Sequence, residues 1–370
     1  MKLLIVAPEI SPPWTEGRKK LVFDLAETLS KFCTIRLITT GDENEQLRAP
    51  CSGYRKKISS KWQKLFILHE AMNKELLDRR PDAVCHFPFG TFHGLKGLAN
   101  RWSIRYVDRR CQKLGLRCLT ILYSITKGSI HTLKKNTREL VLAPDKNLPG
   151  LKNVVMGINT SKIPHMLSNP HKKPTLLFMA GLQETRRNML HHVLNERGLA
   201  DVIEACPFFG KAGLRVIAAI PLLKDRTLCN ELRQRFFEKC PDLDLDLRTE
   251  VTIPEIFHEV DIYIFPYRVE LTQFIPTSIL EAMAAGIPVV LSDLQMLSPL
   301  ANDGKTAYQY RRCDANHLWK VIQSALADDH GRREICFRAR EFVETKWSID
   351  RSVQDLLGIL NDQNPQVFDG

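Results

Sequence analysis

The sequence predicts an α/β chain of two doubly wound domains, each a parallel sheet with helices on both faces. Three observations carry that prediction. Short apolar runs rich in β-branched or aromatic residues, such as KLLIVAPEI, RCLTILYSI, TLLFMAGLQ and DIYIFPY, alternate with segments of helical period. The alternation breaks once, at SKIPHMLSNPHKKP, whose three prolines and lack of periodicity predict a linker. At 370 residues and 44% hydrophobic content the chain is long enough to bury two cores.

In order, KLLIVAPEI reads as a first strand rather than a signal peptide, because its apolar run is short and a Pro-rich loop follows. A helix begins near Arg18 with Leu21, Val22, Leu25, Ala26 and Leu29 on one face. TIRLITT completes a βαβ unit. The segment from Ser59 to Arg80 is helical in period and leads into the strand PDAVCHF. The next stretch, TFHGLKGLANRWSIRYVDRRCQKLGLR, interleaves Arg and Lys with Phe92, Leu95, Leu98, Trp102, Ile104 and Tyr106. It reads either as packed core with a solvated basic side or as a surface for anionic lipid headgroups. RCLTILYSI, ELVLAP and NVVMGIN are the remaining strands of the first domain. Beyond the linker the strands TLLFMAGLQ, LRVIAAIP, LDLRTEV, DIYIFPY, PVVLSD and TAYQYR alternate with helical segments, and a long helical region runs to about Asn361. The expected boundaries are 1–165 and 172–345, with a closing helix over 346–361.

Residues 261–293 concentrate the functional signal. Two buried strands flank a short helix from about Thr277 to Ala285, with Pro276 in its first turn and Gly286 and Pro288 beyond its last. The only charge in that helix is Glu281. Its N-terminus is delivered to the crevice where open parallel sheets bind ligands, and a helix N-terminus favours anions. A phosphate-bearing ligand is expected there.

LEAMAAGIPVV resembles the motif of the retaining glycosyltransferases of family 4, which have the GT-B fold of two Rossmann-like domains facing a cleft. The resemblance implies transfer of a sugar from a UDP- or GDP-sugar. The second glutamate of the family motif, which holds the ribose hydroxyls, falls on Glu281. The first, which touches the donor sugar, falls on Gln273, so hydrogen bonding is kept and charge is lost. Family members grip the diphosphate with a Gly-Arg…Lys-Gly arrangement. Gly181 matches its glycine, Leu182 stands at the arginine, and Arg186, Arg187 and Arg197 are the basic residues left for the work. Arg197-Gly198 resembles the family's helix entry, while Arg187 sits at the better spacing. Pro276, Thr277, Ser278 and Ile279 complete the donor contacts, and Gly17 matches a glycine in the loop after the first strand. Gly157 and Ile158 resemble the turn that leads out of the first domain. Tyr123 and Ser124 fall about where the family often places a histidine; His86, His93 and His131 lie nearby and read as structural residues.

Charge divides unevenly. Residues 1–165 hold 29 Lys and Arg against 14 Asp and Glu, while the rest hold 24 against 28, within an overall +11. A strongly basic first half points to an anionic partner there: a membrane surface or an anionic acceptor, with no nucleic-acid reader motif to accompany it. Lipid or polysaccharide acceptors fit. No metal or cofactor is expected. Asp242, Asp244 and Asp246 at spacing two read as a solvated strand face, with Leu243 and Leu245 pointing inward. The ten cysteines are scattered singly, which suits a reducing cytoplasm, with attachment to the inner face of the membrane as the peripheral variant. Two alternatives keep the fold: a degenerate relative that binds sugar-nucleotide or glycan without transfer, or another activity such as a sugar-nucleotide epimerase.

Overall fold

Each apolar run becomes a strand because its side chains are buried on both sheet faces, and the helical segments between them provide that cover. The computed structural model describes residues 1–10, 17–41, 51–55, 61–88, 94–122, 137, 139–142, 151–166, 172–180, 189–220, 225–253, 255–270, 275–301 and 304–362. The first sheet comprises β1 (Lys2–Val6), β2 (Thr34–Gly41), β3 (Cys51–Arg55), β4 (Ala83–His86), β5 (Arg117–Leu122), β6 (Leu140–Leu142) and β7 (Lys152–Asn153). Its order is β3-β2-β1-β4-β5-β6-β7, all parallel. The second comprises β8 (Thr175–Met179), β9 (Arg215–Ala219), β10 (Asp244–Arg248), β11 (Ile262–Phe265), β12 (Val289–Ser292) and β13 (Tyr308–Tyr310), again all parallel, in the order β10-β9-β8-β11-β12-β13. The order reverses between β1 and β4 in one sheet and between β8 and β11 in the other. Such switch points open a ligand crevice at the carboxyl ends of the strands.

The longer helices are α1 (Gly17–Leu29), α2 (Lys61–Arg79), α3 (Gly94–Lys113), α4 (Leu199–Lys211), α5 (Arg226–Lys239), α6 (Thr277–Ala285), α7 (Ala315–Ala327), α8 (Asp329–Lys346) and α9 (Ile349–Asn361). None among the described residues is long and apolar enough to cross a membrane. The chain forms two compact units, one from Met1–Asn159 with the segment from Lys346 onward, the other from Thr160–Leu271 and Ile275–Thr345. The stretch from Thr160, expected with the first domain as far as residue 165, lies with the second unit, where Met166 N donates to Ala285 O at 2.7 Å.

In the first unit, Leu4, Val6, Ile38 and Val84 of the sheet pack with Leu68, Met72 and Leu76 of α2 and Val107 and Cys111 of α3. The expected apolar face of α1, from Leu21 to Leu29, is buried, and α1 packs on α9. α9 buries Ile349, Val353, Leu356 and Leu360, a stripe at helical spacing. Ser348 caps its N-terminus, its Oγ accepting from Arg351 N at 3.3 Å. Ile158 N donates to Trp347 O and Ile349 N to Ile158 O, both at 2.8 Å. A Cβ on Gly157 would stand 2.3 Å from the carbonyl oxygens of Trp347 and Ser348, so only glycine permits that approach. This also corrects the expected strand NVVMGIN: β7 ends at Asn153, and Ile158 pairs with Ser348 instead of a sheet neighbour.

In the second unit, Leu176, Phe178, Val216 and Ile264 of the sheet pack with Val202, Cys206 and Phe209 of α4, Leu232 and Phe236 of α5, and Leu318 and Ile322 of α7. β10 lies at the edge, with Leu243, Leu245 and Leu247 packed against that core. Its acids are engaged in ion pairs. Lys173 meets Asp244 at 2.7 Å, and Arg215 and Arg248 meet Asp246 at 2.7 and 2.8 Å.

Candidate functional site

The switch point of the second sheet lies beside β11, whose four residues are buried and whose chain continues as Pro266-Tyr267. α6 follows the next loop. Pro276 precedes it with no side-chain cap, and Thr277 and Ser278 in its first turn are partly exposed. Pro276 offers no side-chain acceptor, so among the described residues no cap bond neutralises the positive end of the helix. At the other end, Arg340 Nη1 donates to Ala284 O at 2.6 Å and so complements the negative end.

Strand and helix are locked together. Tyr263, in β11, is fully buried, and its hydroxyl lies 3.0 Å from Ser278 Oγ. Burial pushes its phenol above the usual tyrosine range; the Glu281 charge adds to that shift and the Arg197 charge opposes it. The Tyr263–Ser278 contact thus ties β11 to the first turn of the helix that carries Glu281. Glu281 is only 2% exposed, an unusual position for a carboxylate in an otherwise apolar helix.

Arg197 reaches this place through a π-helical turn over His192–Glu196, closed by Arg197 N donating to His192 O at 2.8 Å. Its guanidinium carbon lies 4.5 Å from the centre of the Tyr267 ring, and its Nη1 donates to the Tyr267 hydroxyl. Its Nε donates to His192 Nε2 at 3.1 Å, and His192 Nδ1 lies 2.6 Å from Glu196 Oε2. Because Arg197 can only donate, His192 Nε2 must accept, which puts the imidazole proton on Nδ1, facing Glu196. Tyr267 is itself fixed: its carbonyl accepts from Ser292 Oγ at 2.6 Å and its ring stacks on Phe265 at 3.7 Å.

Gly198 holds this corner closed. It sits at φ +75° before α4, and a Cβ there would stand 1.7 Å from Pro266 O. The start of α4 therefore rests directly on the backbone leaving β11. Asp201, buried in the first turn of α4, accepts from Arg268 Nη2 at 2.5 Å, Tyr310 Oη at 2.7 Å and Cys313 N at 3.1 Å. That carboxylate binds the loop after β11 to the end of β13.

Of the residues expected from sequence, Arg197, Glu281 and Pro276 to Ile279 all belong to the second unit, around β11 and α6. Gly17 opens α1 in the first unit. Gly181, Arg186, Arg187 and Gln273 lie outside the described residues, as do His93, Tyr123, Ser124 and His131. His192, Glu196 and Tyr267 were not anticipated: the first two meet Arg197 through a local π-helical turn that has no periodic signature, and Tyr267 meets it only through the fold; the sequence signal was the RG pair that resembled the family's helix entry. His86, read as a satisfied structural histidine, is fully buried at the carboxyl end of β4, and neither ring nitrogen has a hydrogen-bond partner among the described residues.

Residues 173–328 match the family model described as Glycosyl transferases group 1. No curated protein matches the chain. Among solved structures, sucrose-phosphate synthase from Thermosynechococcus elongatus is similar at a TM-score of 0.71 and 14% identity, covering 97% of this chain and 98% of that one. A glycosyltransferase from Rickettsia africae is similar at 0.71 and 15%, covering 97% of each chain. HepE from Anabaena in complex with UDP-glucose is similar at 0.70 and 12%, covering 97% of this chain and 99% of that one. These likenesses establish the fold: two Rossmann-like α/β units of the GT-B type.

Proposed function

We propose that the chain is a glycosyltransferase that moves a sugar from a UDP- or GDP-sugar to a lipid-linked or polysaccharide acceptor, with retention at the anomeric carbon. One arrangement carries this reading: Arg197 is held on Tyr267 just past β11, and Tyr263 of the same strand is joined to Ser278 in the first turn of α6, the helix that buries Glu281. A guanidinium grips phosphate oxygens, an uncapped helix N-terminus attracts them, and a buried carboxylate accepts hydrogen bonds from ribose hydroxyls. Together they suit a nucleoside diphosphate. The match of 173–328 to a glycosyltransferase family and the UDP-glucose bound to HepE support the same choice.

In this reading the developing charge of the leaving diphosphate is stabilised by Arg197 and the α6 N-terminus, joined by Arg186 and Arg187. Gln273 touches the sugar, and Gly17 and Gly181 give the donor room. In this reading the second unit, with residues 172–345, is the donor domain, the first unit, Met1–Asn159, is the acceptor domain, and 346–361 is the closing helix. The reaction needs no divalent metal, because fixed positive charge does that work; Asp244 and Asp246 are engaged by Lys173, Arg215 and Arg248.

The basic first half and one exposed patch support an acceptor at a membrane surface. Phe66 of α2 is 65% exposed, and its ring centre lies 5.8 Å from that of Trp102 in α3, 36% exposed; Leu98, 50% exposed, is one turn away. Arg105 and Arg109 are exposed on the same helix. Aromatic residues flanked by arginines suit the headgroup layer of an anionic leaflet. In this reading the enzyme works in the cytoplasm, attached peripherally to the inner face of the membrane.

The test is a panel of UDP- and GDP-sugars scored for thermal protection and for slow donor hydrolysis. Protection and hydrolysis by one donor, both reduced by Glu281→Gln, support transfer. Protection without hydrolysis or transfer to any acceptor favours the degenerate reading that Gln273 and Leu182 raise. No protection by any donor overturns the proposal.

A further inference from the structure

We infer that Glu196 and His192 form a positioning pair that presents the Arg197 guanidinium to the donor diphosphate; this rests on the donor-site reading above. An arginine side chain is long and loses much rotamer freedom when it binds a ligand unless it is held beforehand. Arg197 is held at two points. Its Nε donates to His192 Nε2 at 3.1 Å and its Nη1 to the Tyr267 hydroxyl, which leaves three of its five N–H donors for an anion. The Nε bond exists only while His192 Nε2 carries no proton. Glu196 Oε2, 2.6 Å from Nδ1, selects that tautomer, because a carboxylate needs the proton on the nitrogen facing it.

The backbone supports the same role. The π-helical turn from His192 to Glu196 widens the helix just before Arg197 and brings residues four and five apart onto one side. Such turns occur frequently at functional sites. His192 is nearly fully buried, so its ring does not itself meet a diphosphate; it acts through Arg197. Glu196 is tied in turn to the loop after β11, its carbonyl accepting from Arg268 N at 3.0 Å. Histidine, arginine and tyrosine are therefore joined by hydrogen bonds to one another and to the end of β11.

The experiment is a double-mutant cycle read by calorimetric titration with UDP and, in parallel, GDP. Arg197→Ala is expected to weaken the nucleotide that binds wild type, and His192→Leu to weaken it about tenfold, the size of one charge-assisted hydrogen bond. His192→Gln, whose amide oxygen can accept from Nε, should recover most of that loss. Glu196→Gln, on a partly exposed side chain, keeps an acceptor and should cost about two- to threefold while the fold is retained. The deciding result is that His192→Leu adds no further loss in the Arg197→Ala background. If His192→Leu costs as much with Arg197 absent as with it present, or if His192→Gln is no better than His192→Leu, the positioning role is wrong and His192 is structural. If Arg197→Ala leaves binding unchanged, or neither nucleotide binds, the donor site fails first and the pair falls with it.

Discussion

Replacing His86 by leucine is expected to make the protein less sensitive to acid. His86 is fully buried at the end of β4 with both ring nitrogens unpartnered among the described residues, and burial, assisted by the nearby His69, pushes its pKa down to about 3. His69 in α2 lies under the rings of Trp102 and Tyr106, and burial takes it to about 4. Both are neutral in the fold, whereas an unfolded chain protonates them below about pH 6.5. Their folded pKa values are depressed, so stability is complete above pH 6.5 and is lost as the pH falls towards the folded values. Between pH 7.5 and 5 each imidazole lowers the unfolding free energy by about 2 kcal/mol, from roughly 1.5 pH units at about 1.4 kcal/mol each. His86→Leu removes one of the two, so the difference between these pH values should shrink by about 2 kcal/mol. Removing two unpartnered polar atoms should also hold or raise stability at pH 7.5. Urea unfolding followed by far-UV circular dichroism and tryptophan fluorescence at both pH values measures this. If the variant loses as much stability as wild type on acidification, the assignment of acid sensitivity to this buried pair is wrong.

Gly198→Ala should destabilise the second unit by about 3 kcal/mol or more, since alanine resists φ +75° and its Cβ would meet Pro266 O at 1.7 Å; a melting temperature within 2 °C of wild type would contradict this. Transfer should persist in excess chelator, and complete loss restored by magnesium or manganese would return Asp242, Asp244 and Asp246 to consideration. Vesicles containing anionic lipid should bind the intact protein at low salt and release it as salt rises, with Phe66→Ser combined with Trp102→Ser binding several-fold more weakly. Equal binding to neutral vesicles, or no binding at low salt, would redirect the basic surface to a soluble anionic acceptor.

Much of the second unit was legible in sequence because β11, α6 and β12 are short, wholly buried and bounded by Pro and Gly, so period and punctuation agree. Glu281 stood out as the one charge in that helix. Arg197 was legible only as one of three candidates, because its setting depends on Tyr267, seventy residues away, and on a π-helical turn that has no periodic signature. β3 escaped notice for a different reason: CSGYR is an edge strand with neither an apolar run nor alternation. The NVVMGIN segment looked like a strand from its apolar residues, yet the contact of Gly157 with Trp347 and Ser348 takes the backbone away from the sheet. The reading of His86 as satisfied rested on frequency, and only packing reveals that its nitrogens are unpaired.

Hydrogen–deuterium exchange with and without the bound nucleotide tests the central claim most directly, because it locates the site without assuming a reaction. UDP or GDP should slow exchange in two separated stretches of the second unit, from His192 to Val202 and from Ile275 to Glu281, with Arg197→Ala abolishing the effect at the nucleotide concentration that saturates wild type. Protection confined to the first unit, or protection of these stretches that survives Arg197→Ala undiminished, would contradict a diphosphate site built on Arg197 and α6.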